Sequence, residues 1–348
     1  MTRREFGLGV QTDRSAADYR GRARLAEDLG FDVISAYGDL MFQPPLYPLL
    51  QMAAVTERIR LGPACLNPHT LHPVEIAGQV AALDAASGGR AFLGLARGAW
   101  LESIGVEQRR PVAVVREAVE VVRRLLRRDS SGFRGEVFSL APGLELRYAP
   151  ARPEVPLLIG AWGEQMAAYA GAEADELKVG GTANPDMLRL ARERLARGAE
   201  RAGRDPNEPG IVAGAVTVVD EDGAAARRRA STEVAMYLAV VAELDPTVEL
   251  PSDLLRAVRG RLDAGDHEGA GALIPPNVLT RFTMAGTPRD VAEQAEQLLT
   301  AGARRVEFGS PHGLTPERGI ELLGTQVLPR LRGPEHGRLK EERNEVSA

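Results

Sequence analysis

Short apolar runs alternate with longer amphipathic stretches along most of the chain. The first cycle comprises an apolar run at 6–10, a stretch with helical spacing at 17–29 that ends at Gly30, and a second apolar run at 31–35. Short apolar runs predict buried strands, and apolar positions three and four residues apart predict helices that pack on them. The chain therefore begins with a βαβ unit, which is typical of a parallel sheet.

The same cycle repeats until eight strands are predicted. They fall at 6–10, 31–35, 59–62, 91–95, 156–159, 177–179, 211–219 and 305–308. The predicted helices fall at 17–29, 48–56, 73–86, 111–127, from 164 onward, 185–201, 288–301 and 316–331. Repeated strand–helix units in one chain predict an α/β fold of the (β/α)8 TIM-barrel type, whose functional site lies at the C-terminal ends of the strands.

A first interruption of the alternation lies at about 129–150. It contains two β-like runs, 136–138 and 144–146, and predicts a β-hairpin insertion laid over the barrel. Residues 1–332 are otherwise expected to form a single barrel domain, and the charged segment 333–348 a flexible tail.

A second interruption, 223–284, separates strands seven and eight. It holds a long helix to Val241, a break marked by proline, a helical stretch at 252–262 and a glycine-rich turn near Gly269 and Gly271. We interpret it as a helical insertion that covers the mouth of the barrel.

Composition and charge exclude several classes of protein. The 348 residues carry a net charge of −5, so the chain lacks the basic field expected of a protein that binds nucleic acid or an anionic membrane. Cys65 is the single cysteine, which excludes an intramolecular disulfide and a cysteine-rich metal site. We find neither the apolar core of a signal peptide nor an apolar run that could span a bilayer. We therefore expect a soluble cytoplasmic protein that acts on a small molecule and has no metal site.

A glycine-rich loop, 94–98, follows the fourth predicted strand. Its glycines allow positive φ angles and a close approach of the backbone to a flat or anionic ligand. Arg97 adds a fixed positive charge with a planar set of donors. The alternative is that the glycines only form a tight turn.

The fifth and sixth predicted strands each end in small residues at the start of a helix. These loops are 160–163 and 180–182. Backbone N–H groups and the helix dipole favour an anion at such positions, so the two loops predict a phosphate site. Ordinary turn chemistry remains the alternative.

Several stretches share a further pattern. They are 26–32, 59–68, 83–90, 94–98, 104–106, 160–163 and 308–313. Together they resemble the bacterial-luciferase-like superfamily, and within it the deazaflavin branch typified by methylenetetrahydromethanopterin reductase. The likeness covers most of residues 5–332 and is weakest in the helical insertion.

The resemblance implies a cofactor and its contacts. Members of this branch are (β/α)8 barrels that bind coenzyme F420 and are usually homodimers, and their third strand carries a non-proline cis peptide, which matches the bond between Ala64 and Cys65. The cofactor-binding residues that it implies are Asp39, Ala64, Cys65, Asn67, Gly94, Ala96, Arg97, Gly98, Ala161, Trp162, Gly163, Gly180, Gly181 and Thr182.

The implied chemistry is hydride transfer, which also requires a group that supplies or takes a proton. Asp39 and His69 rank first for this catalytic role, and Tyr37, His72 and His312 are expected to contact the substrate. For each of them the alternative is a polar loop residue that is bonded to the backbone.

One departure from the branch changes the expected substrate. The pterin reductases carry a glutamate in strand one, and Gly9 stands at the matching position. We therefore expect an F420H2-dependent reductase that acts on a C=C or C=N bond of another small metabolite or natural-product intermediate. The alternatives are an FMN-dependent luciferase-like monooxygenase and a non-catalytic flavin or deazaflavin binder.

Overall fold

The computed structural model of the protein describes residues 3–333. Of the predicted tail, 334–348 lies outside the described residues. The strands are β1 Glu5–Val10, β2 Val33–Ala36, β3 Arg60–Pro63, β4 Leu93–Ala96, β5 Phe133–Arg134, β6 Ser139–Leu140, β7 Leu157–Gly160, β8 Glu176–Gly180, β9 Gly210–Val219, β10 Thr283–Gly286 and β11 Arg305–Gly313. The helices are α1 Ala16–Leu29, α2 Leu46–Ala53, α3 Pro73–Ala86, α4 Pro111–Leu126, α5 Glu164–Glu173, α6 Pro185–Arg201, α7 Gly223–Leu244, α8 Ser252–Asp263, α9 His267–Ala272, α10 Pro276–Phe282, α11 Pro288–Thr300, α12 Pro316–Leu322 and α13 Leu328–Arg332.

Parallel strands form the barrel in the order β3-β2-β1-β11-β9-β8-β7-β4. Two isolated bridges, Leu61 with Ala91 and Leu66 with Leu95, join the β3 and β4 edges and close the ring. The strands are buried on both faces, as expected for a parallel sheet covered by helices. The (β/α)8 prediction is confirmed.

The N-terminal end of the barrel is filled by buried charged residues. Arg305 is fully buried, and its guanidinium lies 3.1 Å from the Glu176 carboxylate. Arg305 and Arg60 both stack on the Phe92 ring, at 5.5 and 5.8 Å from its centroid. Side chains therefore occupy the N-terminal end of the barrel interior.

The hairpin insertion is confirmed, but its predicted strands are wrong. The paired residues belong to β5 and β6, whereas 136–138 forms the bend and 144–146 has no strand structure. The backbone N–H groups of residues 136–138 donate to the Glu117 carboxylate of α4 at 2.7–2.9 Å. The Glu117 carboxylate therefore accepts the hydrogen bonds that a neighbouring strand would otherwise accept from residues 136–138.

The helical insertion is also confirmed, with α7 to α10 packed around a separate apolar cluster that includes Leu238, Val258 and Phe282. The predicted turn near Gly269 and Gly271 is wrong, because both residues lie in α9. A Cβ at Gly271 would come within 2.7–2.9 Å of the α7 backbone, so this glycine serves close helix packing.

Two further elements differ from the prediction. β10 was not predicted, and it extends the sheet by pairing with the C-terminal half of β9. The predicted helix 316–331 is divided by a π-helical segment, Leu323–Val327. Pro329, which follows that segment, has no N–H to donate to a carbonyl of the preceding turn.

Helices α5 and α6 cross at two glycines. A Cβ at Gly171 would overlap the Leu195 carbonyl of α6, and a Cβ at Gly198 would overlap the Ala168 carbonyl of α5. The two backbones therefore approach as closely as glycine allows, and this contact sets the position of the helix that begins after β7.

Gly198→Ala is expected to lower the free energy of unfolding by about 1–3 kcal/mol, because the added methyl group forces α5 and α6 apart. Gly21→Ala in α1 is the matched control, since a Cβ at Gly21 would meet no atom within 4 Å. That variant is expected to be more stable than the parent by about 0.5–1 kcal/mol. Urea unfolding of both variants checks the contrast, and equal stability of the two would contradict the described packing.

Candidate active site

A cavity of about 1010 Å³ opens at the C-terminal ends of the barrel strands. This is the end at which barrel enzymes carry their sites, and the volume is at the upper limit of ordinary ligand pockets. Residues after β1, β2, β3, β4, β7, β8, β9 and β11 line it, and α7 of the helical insertion contributes Arg229, Glu233, Met236 and Tyr237. Across the mouth, the rings of Trp100 and Tyr237 lie 6.0 Å apart.

The floor of the cavity is formed by Cys65, just after β3, and by the strand residues Gly160, Lys178 and Gly214. The peptide bond between Ala64 and Cys65 is cis. Burial chiefly raises the pKa of the Cys65 thiol, to about 12. Cys65 is therefore a neutral packing residue at physiological pH and is not equipped to act as a nucleophile.

A buried ion pair lies at this floor. Lys178 on β8 donates a hydrogen bond to the Glu307 carboxylate on β11, and the Ser35 hydroxyl on β2 donates to the other carboxylate oxygen at 2.6 Å. Burial alone would raise the pKa of Glu307, but the Lys178 and Arg305 charges and the two hydrogen bonds hold it below its usual value. Glu307 is therefore an ionised carboxylate in the barrel interior.

The Glu307 side chain and Tyr37 also explain the glycine in strand one. A Cβ at Gly9 would overlap the Tyr37 hydroxyl and lie 2.9 Å from a Glu307 carboxylate oxygen. The space at position 9 is thus already filled by side chains from β11 and the end of β2. Burial, followed by the charges of Glu307 and Asp39, raises the pKa of Tyr37 well above its ordinary value.

Asp39 lines the cavity and has a polar partner. The Gln11 amide nitrogen donates to the Asp39 carboxylate at 2.9 Å, and both side chains belong to the cavity wall. This bond restrains the rotamer of Asp39 next to the space that a ligand can occupy. Among the predicted proton-transfer residues, Asp39 is thus the one that the structure places at the cavity.

The three candidate histidines have different surroundings. His312 lines the cavity, but it is buried, its Nε2 lies 3.1 Å from the Gly9 carbonyl, and burial lowers its pKa to about 4. His69 is outside the cavity lining; its Nε2 is buried without a hydrogen-bond partner among residues 3–333, and burial lowers its pKa. His72 caps α3 by accepting from the Val74 N–H at 3.2 Å, and it also lies away from the cavity.

The two predicted phosphate loops are not equivalent. Gly163 is the N-cap of α5 without a side-chain cap, and the first helical residues, 164–166, line the cavity. In the other loop, the N–H groups of Gly181 and Thr182 both donate to the Gly214 carbonyl, and the Asn184 side chain caps α6. The α5 end is therefore the helix N-terminus that remains open to an anion.

The remaining predicted residues divide between the cavity and the interior. Ala64, Ala96, Arg97, Gly98, Ala161, Trp162, Gly180 and Gly181 line the cavity. Asn67 and Gly94 lie outside the lining: the Asn67 amide oxygen accepts from Thr70, and a Cβ at Gly94 would overlap the Pro63 carbonyl, so Gly94 allows close packing of β3 and β4. Thr182 is buried, and its hydroxyl accepts from the Asn184 N–H at 3.1 Å.

Sequence reasoning missed Lys178, Glu307 and Gln11. A signal was present for the first two, because each interrupts an otherwise apolar buried strand, and lysine and glutamate are rarely buried unless paired. Within residues 3–333, no group of three or more metal-binding side chains is found, and no helix is long and apolar enough to cross a membrane.

The high pKa of Cys65 generates a prediction about reactivity. With a pKa of about 12, roughly one thiol in 10,000 is ionised at pH 8, so iodoacetamide is expected to leave the folded protein unmodified. The same reagent in urea is expected to alkylate the single cysteine fully. Mass spectrometry of the intact protein measures both, and rapid modification of the folded protein would contradict a buried thiol.

Comparison with known proteins assigns the chain to a family. The profile of the luciferase-like monooxygenase family matches residues 1–305. The chain is 32% identical to a 5,10-methylenetetrahydromethanopterin reductase of Archaeoglobus fulgidus over 94% of this chain and 100% of that protein. It is 30% identical to an F420-dependent glucose-6-phosphate dehydrogenase of Nocardia farcinica over 89% of this chain and 92% of the relative.

The fold comparison agrees with the sequence comparison. The coenzyme F420-dependent tetrahydromethanopterin reductase of Methanopyrus kandleri superposes with a TM-score of 0.87 at 27% identity, covering 94% of this chain and 99% of that structure. The resemblance expected from the sequence is confirmed. The chain belongs to the luciferase-like monooxygenase family.

Proposed function

We propose that this protein is an F420-dependent reductase that transfers a hydride from the reduced deazaflavin to a C=C or C=N bond of a small metabolite or natural-product intermediate. The observation that carries the proposal is the open N-terminus of α5 beside a cavity whose floor includes the small residues Cys65, Gly160 and Gly214. The relatives named above, which are F420-dependent enzymes with different substrates, support the same cofactor.

The residues at the cavity fit a deazaflavin. A Cβ at Gly163 would meet no atom within 4 Å, so the space before α5 is free for a phosphate. Ala64, Cys65, Gly160 and Ala161 line the cavity with small side chains, a surface that a flat ring can contact. We assign the phosphate to the α5 N-terminus and the ring to this floor, with Gly98 and Arg97 at its edge.

The bound reduced cofactor supplies a hydride and does not readily activate oxygen. The chain must then orient the acceptor, exclude water and manage one proton. We assign the proton transfer to Asp39, because Gln11 holds its carboxylate at the cavity wall. Tyr37, Trp100 and Tyr237 provide the aromatic surfaces for the acceptor.

The substrate is proposed to differ from the pterin of the reductases. Gly9 has no room for a side chain, since Tyr37 and Glu307 occupy the adjacent space. The carboxylate next to Gly9 is that of Glu307 on strand β11, and it is already paired with Lys178. A homodimer is part of the proposal by analogy with the branch that the sequence resembles.

Separate titrations with F420 and with FMN, followed by fluorescence or heat, test the cofactor. We expect micromolar binding of F420 and much weaker binding of FMN, followed by oxidation of F420H2 in a screen of unsaturated acceptors. A preference for FMN would instead support a monooxygenase. Binding of F420 without turnover of any acceptor would support a non-catalytic binder.

Gly163→Asp tests the phosphate position. The aspartate fits the N-cap of α5, so the folded state is expected to be as stable as the parent or a few tenths of a kcal/mol more stable. Its carboxylate occupies and repels the anion site, so F420 affinity is expected to fall roughly tenfold or more. Calorimetric titration and thermal unfolding measure the two effects.

Gly163→Ser is the matched control, because serine caps the helix without adding charge. Its loss of F420 affinity is expected to be clearly smaller than that of the aspartate variant. Unchanged F420 affinity in Gly163→Asp would remove the phosphate from the α5 N-terminus.

A further inference from the structure

The Lys178 ammonium is the charged group on the cavity floor defined above. Its side chain is 7% exposed, and that exposure is toward the cavity that it lines. The cavity-lining arginines Arg14, Arg22, Arg97 and Arg229 belong to loops and helices outside the barrel strands. A ligand that reaches the floor of the cavity therefore contacts a positive charge at Lys178.

The position of this ammonium is set from several strands. Glu307 on β11 accepts its hydrogen bond, and Ser35 on β2 holds Glu307 in turn. The Tyr37 ring lies 5.2 Å from Lys178 Nζ, which adds a cation–π contact. Lys178 is thus preorganised and does not need to be ordered by a ligand.

Folding stability by itself does not explain the buried ion pair of Lys178 and Glu307. Replacing a buried ion pair with apolar residues of similar volume is often neutral or stabilising, because both charges lose their hydration in the folded state. An ammonium has three N–H donors, and within residues 3–333 Lys178 makes one hydrogen bond, to Glu307. Two donors remain for a bound molecule.

We propose that Lys178 is a cofactor-binding residue that stabilises the negatively charged form of the deazaflavin ring, and that Glu307 is its positioning residue. This inference rests on the proposed function, which supplies the cofactor. It goes beyond that function because it assigns an electrostatic role to a side chain on β8.

The chemistry of the ring makes this role measurable. The hydroxyl group of the deazaflavin is conjugated with its pyrimidinedione, so the charge of the anion spreads over the whole ring system. A nearby cation lowers the pKa of that hydroxyl whichever end of the ring it contacts. The neutral and anionic rings also differ in visible absorption.

The other titratable groups around Lys178 are few. Glu307 is ionised, as argued above, whereas burial raises the pKa of both Tyr37 and Cys65 and keeps them neutral. Asp39, across the cavity wall, is the remaining acidic neighbour that acts on Tyr37 and Cys65. Near neutral pH, a change in the absorption of bound F420 therefore reports the ring itself.

The experiment is a pH titration of the visible absorption of F420 bound to the full-length protein and to Lys178→Met. The apparent pKa of the bound ring is expected to rise by about one unit in the variant, and F420 affinity at pH 7 to fall roughly tenfold. Lys178→Arg, which keeps the positive charge, is expected to restore most of both effects.

Two further variants separate this role from a structural one. Ser35→Ala removes a hydrogen bond to Glu307 and leaves both charges in place, so the ring pKa is expected to shift much less than in Lys178→Met. The double variant Lys178→Met with Glu307→Gln leaves no unpaired charge in the interior and is expected to fold. Its bound ring is expected to retain a pKa above that of the parent.

The outcomes distinguish the two proposals. A parental ring pKa in both Lys178→Met and the double variant would overturn the role of Lys178 while leaving F420 as the cofactor. Failure of the parent protein to bind F420 would overturn the proposed function, and this inference with it.

Discussion

The buried carboxylate of Glu307 constrains much of the barrel interior. It accepts hydrogen bonds from Lys178 on β8 and Ser35 on β2, and its own strand, β11, lies between β1 and β9. An ionised carboxylate in a low-dielectric interior is tolerated only when its partners are complete, so these strands must keep their register. The same carboxylate, with Tyr37, leaves no room for a side chain at Gly9. The Glu307 carboxylate therefore constrains both the register of the strands and the shape of the cavity.

The cavity combines backbone and side-chain functions that come from different parts of the chain. At the ends of β7 and β8, small residues expose backbone and space, and the open N-terminus of α5 offers oriented N–H groups. On the opposite wall, Gln11 and Asp39 supply polar side chains, and α7 of the insertion adds Tyr237 across the mouth. The cavity thus offers separate surfaces for the proposed cofactor and acceptor, which is the arrangement that the proposed hydride transfer requires.

A reductase and a dehydrogenase that act on different substrates are similar to this chain over nearly its whole length. In barrels of this type the strands provide the framework, and the loops after them provide specificity. Gly9, Lys178 and Glu307 lie on the barrel strands at or beside the cavity, where we propose that the acceptor and the ring bind.

The alternation of strands and helices was predictable from the sequence because the periodicity of apolar residues is local. Most strand and helix bounds of the barrel, and the existence of the two insertions, followed from that pattern. Contacts between distant residues were not predictable in this way. The Glu117 carboxylate accepts hydrogen bonds from the backbone of 136–138. Gly271 allows α9 to pack closely on α7 and does not form a turn.

The site shows the same limit. The sequence predicted the strand-end loops and, through the resemblance, Asp39, but it could not tell that the amides after β8 are already bonded while those of α5 are open. Lys178 and Glu307 are 129 residues apart, and only closure of the barrel makes them partners. Local patterns determine which elements form, whereas long-range packing determines which side chains share a dielectric environment, and so which of them can carry the chemistry.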